Sequence, residues 1–170
     1  MSKSGSSTNT ELQQELDQAI AIHRAGNVSQ AEITYLKILE TEPENSVALH
    51  MLGVANHQRT NNEHAAVLIS KAVAIDPNFV KAHFNLGWSY NNLSRYQEAI
   101  APLKEAIRLE PNDEISASSH SELGEAYANL SRNDEAIAEY KKALRIKPDL
   151  TIVRNNLNKL EHRIVSFKKR

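Results

Sequence analysis

Seven histidines are the side chains of this sequence with the most obvious capacity for chemistry, because imidazole binds metals when neutral and exchanges protons near neutral pH. His50, His57 and His64 stand seven apart. Two histidines seven apart on one helix lie about two turns from each other, too far to share an ion without further ligands, and His64 falls on the next helix. His83 and His120 occupy equivalent places in the repeat described below, where packing is the expected role. No metal site is expected. The chain has no cysteine, so thiol catalysis and disulfides are excluded. No glycine-rich phosphate loop, nucleophile–base pair or paired carboxylates on one rigid face stands out, so no catalytic residue, cofactor or enzymatic activity is expected. Recognition chemistry remains. Trp88 is the single tryptophan, and the amides Asn85, Asn91 and Asn92 can each offer a donor and an acceptor to an extended backbone.

The elements that position these groups follow from a period. Pro43, Pro77, Pro111 and Pro148 recur at intervals of 34, 34 and 37 residues. Gly53, Gly87 and Gly124, each preceded by leucine, follow three of them, and Ala19 takes the same place in the first unit. Twelve residues on come Ala31, Ala65, Ala99 and Ala136, then seven later Ile38, Ala72, Ala106 and Ala143. Two antiparallel helices can approach closely only where both lack bulk, so small residues in register predict stacked helix pairs. The pairs are expected over residues 11–24 with 28–41, 45–58 with 62–74, 79–92 with 95–108, and 116–129 with 133–146. A Ser/Gly/Thr/Asn-rich stretch, residues 1–10, is expected to be a disordered tail, with Thr8 and Glu11 as a capping box for the first helix.

Two irregularities carry information. The three extra residues between Pro111 and Gly124 predict a first helix of the fourth unit that starts a turn early with Asp113 as its cap, in preference to a longer loop. After Pro148, Ile152 or Val153, Leu157, Leu160, Ile164 and Phe167 follow helical spacing and predict a closing helix over about 150–167. Pro102 falls inside a helix, where it either bends the axis or is absorbed in the first turn.

These columns resemble the tetratricopeptide repeat family, most fully in Leu86, Gly87, Tyr90, Ala99, Ala106 and Pro111, and again in Leu123, Gly124, Tyr127, Ala136, Tyr140, Ala143 and Pro148. The first unit departs with Ala19 and Ile22 in place of glycine and tyrosine, and the second has Asn56 in place of tyrosine. The resemblance implies an all-α fold, a right-handed α-solenoid of tetratricopeptide helix-turn-helix repeats. Residues 11–167 would form the domain, with repeats at about 12–45, 46–79, 80–113 and 117–150. It also implies that the first helix of each unit lines a concave groove. The partner-binding residues expected on that basis are His50, Met51 and Val54 in the second unit, Lys81, Phe84, Asn85, Trp88 and Asn92 in the third, and Ser121, Glu122 and Glu125 in the fourth. Trp88 is the anchor of choice, the competing role being packing on the preceding unit. A lysine–asparagine clamp for carboxylate tails, known in some members, is not matched: only Lys81 agrees in units one to three and only Asn85 in units two to four. Asn92-Leu-Ser94 and Asn129-Leu-Ser131 match the glycosylation pattern by chance.

Charge is lopsided: residues 1–140 hold ten Lys/Arg against nineteen Asp/Glu, and 141–170 hold ten against two. An ordinary solvated end is the favoured reading of the basic segment, ahead of an acidic partner or head-to-tail attraction between copies. No aromatics interleave with the basic residues, so no nucleic acid is expected. The opening residues have no apolar segment and no run approaches the ~20 residues of a membrane span, which makes the cytoplasm the expected location. The function expected is a scaffold or adaptor that binds a protein or peptide ligand, a segment or helix, in its groove. One alternative is a substrate-recruiting module related to or assisting a bacterial glycosyl- or sulfo-transferase, whose leading repeats Ala-Ile-Ala-Ile-His-Arg-Ala-Gly and Leu-His-Met-Leu-Gly-Val-Ala resemble. Another is a self-associating scaffold.

Overall fold

The computed structural model describes residues 4–111 and 113–168. All regular structure among them is helical, and the chain divides into two compact units, residues 1–77 and 78–170. The first unit holds α1 (Ser4–Arg24), α2 (Val28–Thr41), α3 (Ser46–Gln58) and α4 (Asn62–Ile75), each packed on the next. The second holds α5 (Val80–Asn92), α6 (Tyr96–Leu109), α7 (Glu114–Asn129), α8 (Asn133–Ile146) and α9 (Thr151–Lys168). Here consecutive helices pack from α5 to α9, and α5 also touches α7.

The turn inside each helix pair repeats one hydrogen-bonding device. Gly26, Thr60, Ser94 and Ser131 form a column with φ of 91°, 60°, 58° and 60°. The following amide reaches back five residues: Asn27 to Ile22 O, Asn61 to Asn56 O, Arg95 to Tyr90 O and Arg132 to Tyr127 O, at 2.8 to 3.1 Å. This is the Schellman closure, which satisfies carbonyls left over at a helix end and requires a left-handed residue. In the second unit the turn is written twice as Asn-Leu-Ser-Arg-x-x-Glu, residues 92–98 and 129–135. Arg95 and Arg132 lie 4.8 and 4.4 Å from the ring centroids of Tyr90 and Tyr127 and pair with Glu98 and Glu135. The glycosylation-like triplets are thus the turn itself, with Ser in the left-handed position.

Close approach explains the small columns. A Cβ on Gly53 would stand 2.5 Å from Ile69 Cγ1, one on Gly87 2.4 Å from Leu103 Cγ, and one on Gly124 2.6 Å from the Tyr140 ring. Opposite them Ala31, Ala65, Ala99 and Ala136 are fully buried. Around these contacts the first unit builds a core from Leu16, Ala19, Tyr35, Ile38 and Leu52, and the second from Leu103, Leu123, Tyr127, Tyr140, Val153 and Leu157.

Several expectations meet the structure here. The longer first helix of the fourth unit is present, and Asp113 caps it by accepting from Ser116 N at 2.7 Å. Of the pair Ile152 and Val153 it is Val153 that is buried, while Ile152 is 77% exposed. Phe167 has its side chain outside the described residues. Pro102 is the seventh residue of α6 and is buried, beyond the first turn, so Glu98 O loses a helical donor there. The tail expected over residues 1–10 is replaced from Ser4 onward by helix: α1 runs through Thr8, which therefore caps nothing, and residues 1–3 lie outside the described residues.

Candidate functional site

In the second unit the alternate helices α5, α7 and α9 carry one set of side chains in equivalent repeat positions. On α5, Lys81, Phe84, Asn85, Trp88 and Asn92 fall at helical spacings of three, four and seven and share a face. Trp88 is 38% exposed, Phe84 and Asn85 are half-buried, and Lys81 and Asn92 are exposed. Phe84 leans on the second core. The exposed part of this indole, beside a half-buried phenyl, is apolar surface whose burial by a ligand is favourable. Lys81 lies close enough to Glu110 to draw its proton affinity down, although the Asp113 hydrogen bond and desolvation raise it overall.

α7 contributes the acidic part. Asn91, one of the three amides the sequence offered for an extended ligand backbone, is instead buried and donates through Nδ2 to Glu122 O and Oε2, both at 2.9 Å. One amide ties the end of α5 to the middle of α7. Glu122 is half-buried, Glu125 exposed and Ser121 half-buried. Burial pushes the Glu122 carboxyl above the ordinary carboxylate range; the Asn91 hydrogen bond lowers it and the Glu125 charge raises it. Its folded proton affinity therefore exceeds the unfolded one. The penalty for ionising it is absent below the unfolded value near 4.3 and fully present above the folded one. Glu122→Gln keeps an acceptor for Asn91 and removes the charge. It is expected to raise Tm at pH 7 by about 2–4 °C, the shift of roughly 1 kcal/mol in a chain of this length, and to leave Tm unchanged at pH 3.5. Thermal melts at both pH values check this, and a lower Tm at pH 7 would mean that the charge is stabilising.

The third wall was missed by the sequence reading, which treated the last helix as a cap with a solvated basic end. Ala128 of α7, Tyr140 of α8 and Asn156, Lys159, Leu160 and Arg163 of α9 line a pocket of about 180 Å³. Tyr140 is buried with its ring against Gly124, and its hydroxyl accepts from Asn156. Burial, then the charges of Glu125 and Glu122, push this phenol up to about 12. The signal that could have found the wall is the repeat itself. Asn156, Lys159 and Arg163 follow Pro148 at the offsets that separate Pro111 from Glu122, Glu125 and Asn129 once the three-residue insertion is discounted, placing α9 as a further first helix of a pair.

The first unit places its candidates differently. His50 is a correction: it is 4% exposed on α3, where Ala48, Leu49, Leu52 and Gly53 are buried as well, so it presents almost no surface to a ligand. Met51 and Val54 are half-buried on the same helix. His57 is buried too, with Nδ1 2.9 Å from Asn62 Oδ1. His23 joins Tyr35 OH at 3.3 Å and Gln58 Oε1 at 3.2 Å. His83 and His120 are both buried, and His120 Nδ1 sits 2.6 Å from Glu139 Oε2. Among the described residues no group of three His, Cys, Asp or Glu is placed to hold a metal.

Comparison with known proteins adds identity to this geometry. Family models described as "Tetratricopeptide repeat" match residues 80–113 and 117–150. The "Peroxisomal targeting signal receptor" of Kluyveromyces lactis is 30% identical over 77 residues, which is 45% of this chain and 14% of that protein. The "Small glutamine-rich tetratricopeptide repeat-containing protein 2" of Mycosarcoma maydis is 30% identical over 81 residues, 48% of this chain and 23% of that protein. The chain thus spans less than a quarter of the length of either curated relative. Among solved structures, "Crystal structure of MamA" superposes with a TM-score of 0.78 at 25% identity, covering 85% of this chain and 82% of the other. Together with the helix pairs described above, that likeness makes the fold an all-α helical repeat solenoid.

Proposed function

For a chain that belongs to the tetratricopeptide repeat family, we propose the role of a protein–protein interaction scaffold that holds a peptide segment across α5, α7 and α9 of its second unit. The observation that carries this reading is Trp88, an indole 38% exposed on the face that also presents Phe84 and Asn85. Recognition in this reading has three parts. The aromatic end buries an apolar side chain of the ligand, Asn85 and Asn92 offer amides to its backbone, and the charged walls of α7 and α9 set its direction. No helix among the described residues is long and apolar enough to cross a membrane.

A displayed library of random peptides selected on the folded protein tests the reading. Binding is followed through the fluorescence of Trp88, which reports without ambiguity because it is the only tryptophan. Selected peptides are expected to shift its emission, and the Asn85→Ala variant to bind them at least about tenfold more weakly. Trp88→Ala, followed by calorimetry since it is dark, is expected to lose more than tenfold, with an unchanged circular dichroism melt. Selected peptides that bind both variants as tightly as the parent would move recognition off this face.

A further inference from the structure

We propose that the pocket between α8 and α9 is a carboxylate subsite, formed by Lys159 and Arg163 with the amide of Asn156, and that it receives an acidic group of the segment held on the second unit. The subsite rests on the groove reading above, and its chemistry comes from the α9 residues themselves. Lys159 and Arg163 are four apart on one helix face, both exposed, at the rim of the same pocket. Like charges at that spacing destabilise a helix unless an opposite charge joins them. Three other cations of this region have such a partner: Lys141 pairs with Glu161 at 2.8 Å, Lys142 with Glu139 at 2.8 Å, and Lys147 with Glu114, while Arg154 donates to Pro148 O. Among the described residues Lys159 and Arg163 have none.

The pocket's other walls fit the same ligand. Leu160 and Ala128 are apolar, Asn156 brings an amide, and the phenol of Tyr140 is held un-ionised by burial, its proton affinity pushed up to about 12. A volume of about 180 Å³ holds a carboxylate with a short aliphatic stem and is too small for a folded element. Glu122 and Glu125 stand toward the α7 side, where they act on Tyr140, so an anion is driven to the α9 rim and a cation of the same ligand to α7. The positions that hold a carboxylate in the lysine–asparagine clamp are occupied here by Phe84, Trp88, Glu122, Ile152 and Asn156; of the subsite only Asn156 is among them, and its two cations, Lys159 and Arg163, lie elsewhere on the repeat. A carboxylate can come from a chain terminus or from an acidic side chain, and arginine and lysine serve both.

The test uses three small probes on the whole chain, read by NMR at the Asn156 side-chain amide and the Leu160 methyls. N-acetyl-leucine presents a terminal carboxylate, N-acetyl-glutamic acid α-amide a side-chain carboxylate, and N-acetyl-leucinamide neither. At least one acid is expected to give saturable shifts with half-saturation at roughly 1–10 mM, reasonable for ligands of this size, and the neutral amide none. Whichever acid saturates identifies the source. Lys159→Gln combined with Arg163→Gln is expected to weaken binding about tenfold or more, as is raising salt from 20 to 500 mM, while Lys71→Gln, at an exposed position of the first unit, leaves it unchanged. Equal shifts with the neutral amide, or acid shifts that survive the double substitution, overturn the proposal. Failure of peptide selection alongside intact acid binding removes the groove and leaves the subsite standing, so the two ideas fail separately.

Discussion

Leu103→Ala is expected to cost about 2–5 kcal/mol, and Gly87→Ala about 1–3 kcal/mol, yet the two together less than their sum. Leu103 is completely buried in the second core and its Cγ and Cδ2 lie 2.4 and 2.7 Å from where a Gly87 Cβ would stand. Truncating the leucine empties that volume; adding the methyl to Gly87 alone drives it into the leucine. Combined, the new methyl occupies part of the vacated space, while Ala99 O at 3.2 Å still limits its fit. Urea unfolding of the four proteins gives the interaction energy, expected at about 0.5–3 kcal/mol in the compensating direction. Strict additivity would show that α5 and α6 have moved apart in one of the single variants, and that the glycine column does not set their spacing.

Tyr35→Ala, in the first unit, is expected to cost about 3–5 kcal/mol, since an aromatic ring is lost from a site with no solvent exposure. The hydroxyl is 3.3 Å from His23 Nδ1, itself buried, so the substitution also strands an imidazole nitrogen. Tyr35→Phe separates the two effects: it keeps the ring and removes the hydrogen bond, for about 1 kcal/mol. Hydrogen exchange of the α1 and α2 amides reads both, and a phenylalanine variant as unprotected as the alanine one would make the hydrogen bond the larger contribution. Because a ring carries far more buried apolar area than one hydroxyl, the ordering follows from area.

The helix pairs were legible because each is encoded locally. The predicted 28–41 is α2 to the residue, and 133–146 is α8. The Asp113 cap could be read from Asp-Glu ahead of an inserted turn, since a cap is a bond between residues three apart. Harder to read was what each polar side chain on a first helix does. His50 and Asn91 have the composition of exposed positions, and both are buried, Asn91 through a bond to Glu122 that is 31 residues distant. No periodicity in one helix announces a partner on another. The α9 wall was missed for a related reason: a helix that follows the last recognisable repeat looks like a lid, and only its packing on α8 shows that its Lys159 face borders a pocket.

By itself the sequence determined the all-α repeat, its period, the glycine and alanine contacts and the single tryptophan on a first helix, because these depend on spacing along one chain and on side-chain size. Only the tertiary structure decided which polar groups are spent inside the molecule, that Asn91 and Glu122 are joined, that His50 is enclosed, and that Lys159 and Arg163 lie beside Tyr140 without an acid among the described residues. Burial and charge pairing are properties of surfaces brought together across helices, and their free energies depend on neighbours that sequence distance does not record.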